Sequence, residues 1–349
     1  MALTEQLHEQ VNFAVKHHSK DPVPVIIPSP KDKKTYPPMD LRTDCNPRLK
    51  TVLKEGLHGL LLPSWAKIAL ETKYWSGDVH AELATNTTQV DILRLTKEQT
   101  MSVVKAAKKQ NITVQSMLFA ASVFAVQSCF IFPCQLQGEK AYLAQKFSTP
   151  VTLRNLITNR ISHTEQGNFV AVLHHIVTIK PESSFWQIAH AYRRSIAFST
   201  KTKEGIQAMM ERFGLLKYVS YKPRGLEWYL KSQIKKDQHG RSATIAVSNL
   251  GRGWDVCKIP LEEQAYVIED AIFSHSAPTT GQTFSLTVAT ANNILTLTNT
   301  WQGSALHGRE RGEWFTRETK RILLEASKTD RSDLLMKEAY DSREPSPSN

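Results

Sequence analysis

Cysteine is scarce in this sequence. Its 349 residues include four, at Cys45, Cys129, Cys134 and Cys257. None are spaced as CxxC, which excludes the common zinc frameworks and gives no disulfide pattern, so a reducing compartment is expected. Acidic residues are also short, at 33 Asp and Glu against 44 Lys and Arg. The resulting net charge of +11 points to anionic partners. A long apolar run is missing too. The longest, Met117 to Phe132, is broken by Ser122, Gln127 and Ser128. A membrane span needs about 20 predominantly apolar residues, so a buried helix is expected and no transmembrane segment. Met1 to Val15 mixes Glu, Gln and His with its apolar residues and does not read as a secretory signal. A cytoplasmic location follows as the expectation, with association at a membrane surface left open.

Several catalytic signatures are absent. The sequence holds no GxxxxGK[ST] loop, GxSxG elbow, HExxH pair or EF-hand loop. Gly251-Arg-Gly253 is only a fragment of a dinucleotide fingerprint. With 41% hydrophobic and 22% charged residues, the chain is globular in composition, and its length predicts two domains or two lobes.

Periodicity supplies the rest. Leu3, Leu7, Val11 and Ala14 predict an amphipathic helix. Six prolines between His17 and Asp44 predict an extended connection, and residues 45–75 a helix in two pieces broken at Pro63. After a strand at 89–95, Thr96-Lys-Glu-Gln99 has the form of a capping box. Met101, Val104 and Ala107 would form that helix's inner face, with Asn111 as its stop. Thr113 would cap the next helix. Strands are predicted at 141–147 and 168–180, and Ser184 caps a helix containing Phe185, Ile188, Ala189 and Tyr192. Two shorter helices follow around Met209 and Tyr229. Further strands are predicted at 243–250, 265–274, 283–290 and 294–301, the last two joined by a hairpin at Asn292-Asn293. A helix over 312–327 precedes a tail expected to be disordered. Helices alternating with strands make an α/β or α+β sheet protein.

Two histidine pairs are candidates for acid–base chemistry. His174-His175 lies within a predicted strand, so the two side chains face opposite ways and are read as packed or solvated. His17 stands four residues before Asp21, an HxxxD spacing, but in a proline-rich stretch and without a following glycine, which favours chance. The basic residues Lys217, Lys222, Arg224, Lys231, Lys235, Lys236 and Arg241 carry no nucleic-acid-binding motif. They could instead hold cofactor phosphates.

From Gln89 to Trp301 the order of segments resembles the fungal alcohol acetyltransferases, within the superfamily of acyl-CoA-dependent acyltransferases and condensation domains. The matching stretches are Leu95-Thr-Lys-Glu-Gln-Thr100, Asn111-Ile-Thr-Val-Gln-Ser116, Thr149-Pro-Val-Thr-Leu-Arg154, Gly167-Asn-Phe, Ser184-Phe-Trp and Val247-Ser-Asn-Leu-Gly251. Tyr36-Pro-Pro-Met-Asp40 and Trp75 resemble the crossing between lobes. The resemblance implies a chloramphenicol-acetyltransferase-like fold of two lobes around a solvent channel. It also implies transfer of acetyl from acetyl-CoA to an alcohol activated by the His of an HxxxDG loop, with specialised metabolites among the alcohols. Acetyl-CoA as co-substrate, a small-molecule alcohol, no metal, no nucleic acid and a monomer are the expected cofactors and partners. Ser248 and Asn249 would end a strand near the channel as substrate-binding residues, and Arg154 would brace the lobe contact.

The sequence contains no HxxxDG. The helix Leu3 to Lys16 resembles the one that follows that loop, so the first lobe is expected to be incomplete, as in an N-terminally truncated chain. No catalytic histidine carries over. The resemblance thus divides the chain into a first-lobe remnant with its crossover (1–88), a second acyltransferase lobe (89–330) and a tail (331–349). The alternative function is a catalytically inactive relative that binds or scaffolds.

Overall fold

The structure is a computed structural model that describes residues 39–56, 73–77, 87–136, 144–157, 161–162, 165, 167–220, 224–225, 227, 240–252, 261–263, 266–328 and 333–347. The predicted helix at Leu3 to Lys16, the His17–Asp21 pair, Pro63 and the segment around Tyr229 fall outside the described residues.

Among the described residues six strands form one mixed sheet, flanked by helices. In chain order the elements are α1 (Leu49–Gly56), β1 (Thr88–Arg94), α2 (Lys97–Lys109), α3 (Val114–Val126), α4 (Phe132–Leu136), β2 (Ala144–Thr152) and β3 (Val170–Thr178). They continue with α5 (Phe185–Lys201), α6 (Lys203–Ser220), β4 (Ala243–Arg252), β5 (Gln282–Ala291), β6 (Ile294–Gln302), α7 (Glu310–Ala326) and α8 (Met336–Asp341). The sheet order is β1-β6-β5-β4-β2-β3, with β4 parallel to both β2 and β5 and the other pairs antiparallel.

The local signals act as the sequence predicts. Thr96 accepts from the Gln99 amide while the Gln99 side chain accepts from Thr96, completing the capping box. Thr113 and Ser184 cap α3 and α5 in the same way, each accepting from the amide three residues on. Asn111 ends α2's turn at φ 50°, and Asn292 and Asn293, at 45° and 61°, give the two positive-φ residues a tight hairpin needs.

Packing overrides three expectations. The buried face of α2 is Thr100, Val103 and Ala107, while Met101 is half exposed. Thr100 decides this, because its hydroxyl accepts from the Leu295 amide and turns the helix by about one residue. Of the strand predicted at 265–274, the described residues 266–274 are irregular chain, held across the sheet face by Thr296 donating to Asp270 and Thr287 donating to the Phe273 carbonyl instead of pairing at an edge. Residues 333–347, expected within a disordered tail, dock instead. Leu334, Met336 and Ala339 are fully buried, and Ser184 pairs with Leu335 in an isolated bridge.

The main core lies on one face of the sheet. Phe284, Leu286 and Val288 of β5 and Leu295, Leu297 and Trp301 of β6 point into it beneath α3 and α7. The stretch Val114–Leu136, which includes a π turn at Gln127–Ile131, is long and apolar enough to cross a membrane. It is mostly buried, with α3 packed against α5 and α7. Trp75 enters the same core, stacked on Phe130 at 4.7 Å, and its carbonyl accepts from Thr244 at 2.5 Å.

Candidate functional site

Alternation along the strands gives the other sheet face a different chemistry. Between the core residues of β5 stand Ser285 and Thr287, and opposite them on β6 stand Thr300 and Thr298. Half of this face is covered. Residues 266–278 cross it, held by Asp270 Oδ1 accepting from Thr296, by the Phe273 carbonyl accepting from Thr287, and by the Ala277 amide donating to Thr88. Asp270 also pairs with Arg94 at 2.5 Å. Burial raises the Asp270 carboxyl, but the Thr296 and Arg94 hydrogen bonds outweigh it and leave the pKa below the ordinary value.

The other half, over β5, β4, β2 and β3, is a cavity of about 610 Å³. Ser148, His174, Ser248, Ser285 and Thr287 supply polar groups, and Pro150, Val170, Val172 and Met209 supply apolar wall. Arg212 of α6 and His275 complete the rim. Volume and mixed lining suit a small organic ligand.

Two side-chain pairs lie in the cavity: Gln282 Nε2 donates to Ser285 Oγ at 2.5 Å, and His174 Nδ1 lies 3.1 Å from Ser148 Oγ. His174 is open to the cavity on its outer side, yet the surrounding strands withdraw enough water to dominate its titration. Burial first, then the charges of Lys146, Arg212 and His175, lower its pKa to about 4. The imidazole is therefore neutral at pH 7. With Nδ1 engaged by Ser148, Nε2 remains for a ligand. His175 faces the opposite way, as alternation requires. Its ring lies 5.0 Å from that of Tyr192, Nδ1 lies 3.3 Å from Ser195 Oγ, and burial lowers its pKa to about 4 as well.

The predicted site residues separate. Ser248 lines the cavity, whereas Asn249 lines a second pocket of about 320 Å³ on the other side of β4 and accepts from the Gly251 amide at 2.8 Å. Arg154 stacks on Phe169 at 4.6 Å and donates to the Ser162 and Glu165 carbonyls, tying down the chain between β2 and β3. Of the basic cluster, Arg241 is buried and donates to the Ser76 carbonyl and Gln302, so it is not available to phosphates. Lys222, Lys231, Lys235 and Lys236 lie outside the described residues. Ser148 and Arg212 carried no signal in the sequence beyond strand and helix periodicity. Among the described residues no group of three or more His, Cys, Asp or Glu is placed to hold a metal ion.

A sequence profile of alcohol acetyltransferases matches residues 4–306. The chain belongs to the alcohol acetyltransferase family. Solved structures share the fold at low identity. Polyketide synthase associated protein 5 from Mycobacterium tuberculosis is 14% identical with TM-score 0.51, the match covering 93% of this chain and 69% of that one. The epimerization domain of tyrocidine synthetase B is 13% identical with TM-score 0.54, covering 93% and 65%. The TRI3 trichothecene 15-O-acetyltransferase of Fusarium sporotrichioides is 14% identical with TM-score 0.50, covering 76% and 51%. The chain thus spans about two thirds of the first two and half of the third. Comparison with curated protein sequences finds no match. The fold is the mixed α/β, chloramphenicol-acetyltransferase-like one that the sequence implied, and membership of the family supports acyltransferase chemistry in general.

Proposed function

We propose that the protein transfers an acetyl group from acetyl-CoA to the hydroxyl of a small-molecule alcohol, with specialised metabolites among the acceptors. The observation that carries this reading is the family match over residues 4–306. The hydroxyl-lined cavity supports it. In the reaction the acceptor oxygen attacks the thioester carbonyl and a C–O bond forms. The tetrahedral intermediate then collapses, the C–S bond breaks, and the hydroxyl proton leaves with the CoA thiol.

The cavity suits the acceptor. Its apolar wall at Val170, Val172 and Met209 takes the carbon skeleton, while Ser248 and His174 meet the hydroxyl. Thr287 already donates to main-chain carbonyls, so it offers only its lone pairs. Neutral His174 acts by orienting the hydroxyl. Its low proton affinity makes it a weak base near pH 7.

The alternative is a relative that binds these ligands without turnover, and one specific feature favours it. The sequence contains no HxxxDG motif. Incubation with acetyl-CoA and a panel of short-chain and terpenoid alcohols separates the two readings, with ester detected by mass spectrometry and free thiol by colour. Active enzyme gives both products in equal amount. Folded protein that yields neither above the uncatalysed rate would overturn the acetyltransferase.

A further inference from the structure

The sheet has two edge strands, β1 and β3, and they are finished differently. The Leu95 amide donates to the Leu295 carbonyl, so alternation turns the main-chain groups of Thr88, Val90, Ile92 and Arg94 away from β6. Two long cations close that edge. Arg309 donates to the Val90 carbonyl at 3.3 Å, and Lys320 to the Arg94 carbonyl at 2.8 Å. An edge capped in this way resists further pairing.

β3 has no such device. The Leu153 amide donates to the Phe169 carbonyl, and the register with β2 continues unbroken from Val170 to Thr178. Val170, Val172, His174, Ile176 and Thr178 therefore direct their main-chain groups outward. The strand holds no proline, no charged residue and no bulge. α6 packs beside its first half, where Met209 shares a core with Ala171 and Leu173 and a cavity wall with Val170. The second half is open. Ile176 is 55% exposed, and among the described residues no hydrogen bond reaches the outward groups of 174–178.

A groove of about 440 Å³ follows that open half, between 174–178 and α5. Its floor is Phe119 and Tyr192, stacked at 4.1 Å, with His175 against them. Its outer wall is a stripe of α5 made by Ile188, Ala191 and Ser195, and the exposed Phe198 continues that stripe on the same helix face. Arg194 and Lys201, seven residues apart, lie on the next strip of surface outward, and α5 contains no acidic residue. Both cations are exposed, and neither has an ion pair among the described residues. Glu182 and Glu204 stand beyond the two ends of the helix. Bare main-chain donors and acceptors beside an apolar slot with a cationic rim are what strand addition by an acidic segment requires.

We propose that the β3 edge and the α5 groove bind an extended acidic segment of a partner protein, which adds to the sheet as a seventh strand. Its main chain pairs with His174, Ile176 and Thr178. Every second side chain turns towards α5, with apolar ones over Phe119 and Tyr192 and acidic ones at Arg194 and Lys201. Charge selects this occupant over a second copy of the chain. Antiparallel pairing of two β3 edges would set two α5 helices side by side on one face of the joined sheet, with their cationic rims opposed. The surface is independent of the acetyl-transfer reading.

The test is fluorescence polarisation of the full chain with the labelled peptide TETVTETVTE, whose Glu and Val side chains share one face when extended. Companion peptides carry Lys in place of Glu, or N-methyl groups on every second amide in either phase. Wild type is expected to bind the Glu peptide, to bind the Lys peptide more weakly, and to lose binding in the N-methylated phase that faces β3. Ile176→Pro removes an outward amide and no bond to β2, and should lower affinity about tenfold. Arg194→Ala/Lys201→Ala should lower it about fivefold and flatten its salt dependence. Lys328→Ala, a surface cation after α7, should keep the wild-type value. Circular dichroism checks folding, and the surface pair with the N-methylated peptides carries the test if the proline variant does not fold. No binding to wild type, equal binding of both N-methylated phases, or equal affinity for Glu and Lys peptides overturns the site. Sedimentation without peptide should give a monomer. A dimer that Ile176→Pro abolishes would assign the edge to a second copy and overturn the acidic partner.

Discussion

The two faces of this sheet are built from the same strands and do opposite work. On β5, Phe284, Leu286 and Val288 are fully buried beneath helices, while Ser285 and Thr287 between them look onto a loop and a cavity. On β4, Ile245 and Val247 face the core, and Ala246 and Ser248 the cavity. The covered face holds the apolar core and the open one the polar-lined cavity proposed for the acceptor, so substitutions one residue apart should have separable effects.

The largest expected effect comes from the covered face. Phe284 stacks on Phe315 at 4.2 Å and lies 6.1 Å from Trp75, so Phe284→Ala removes an aromatic from a closed core. Destabilisation of about 3–5 kcal/mol is expected in urea unfolding. Ser285→Ala, next to it on the open face, should cost far less. A loss at Ser285 equal to that at Phe284 would dissolve the distinction between the faces.

The next effect belongs to the open face and to turnover. His174→Ala should leave the unfolding midpoint nearly unchanged and lower kcat/KM for the alcohol by about tenfold, the size of one hydrogen bond to the acceptor. The KM for acetyl-CoA should not move. His174→Gln, which keeps a hydrogen-bonding group, should recover part of the loss. A fall in stability without a change in turnover would mean that His174 is structural.

Both faces share a pH dependence, because one histidine stands on each. The pKa values of His174 and His175 are lowered from 6.5 to about 4 when folded. Between those values the unfolded chain binds more protons than the folded one, so stability rises with pH in that window. These two groups cost no stability above about pH 6.5, and destabilise progressively as pH falls towards 4. Melting temperatures recorded across that range should show the slope, and the His174→Gln/His175→Gln pair should flatten it. The single variants compare the faces directly, and a slope that survives in the pair would assign it to other groups.

How far this division could be read in the sequence depends on what sets each feature. Local chemistry was legible. Thr96, Thr113 and Ser184 cap helices, Asn292-Asn293 turns a hairpin, and His174 and His175 face opposite ways, because each depends on neighbours within a few residues. Features set by distant contacts were not. The α2 face is turned by a hydrogen bond from Leu295, 195 residues away. Residues 266–274 have the composition of a strand but are held across the sheet face by Thr296 and Thr287 instead of pairing at an edge. Leu334 and Met336 read as tail until the core that receives them is known. Of the site, the resemblance pointed to Ser248, which lines the cavity from within β4, whereas Arg212 and Ser148 reach the cavity only through tertiary packing.

The smallest expected effect tests whether that locality holds in energy as well as in geometry. Thr96→Ala removes the acceptor for the Gln99 amide at the start of α2 and strands the reciprocal Gln99 contact. A cap of this kind is worth about 1 kcal/mol. Because α2 packs against the covered face through Thr100, Val103 and Ala107, the loss should appear in urea unfolding. His174 stands in the cavity on the opposite face of the sheet, so kcat/KM for the alcohol should stay at the wild-type value while stability drops. A parallel loss of turnover would show that the cap governs the cavity as well as the core.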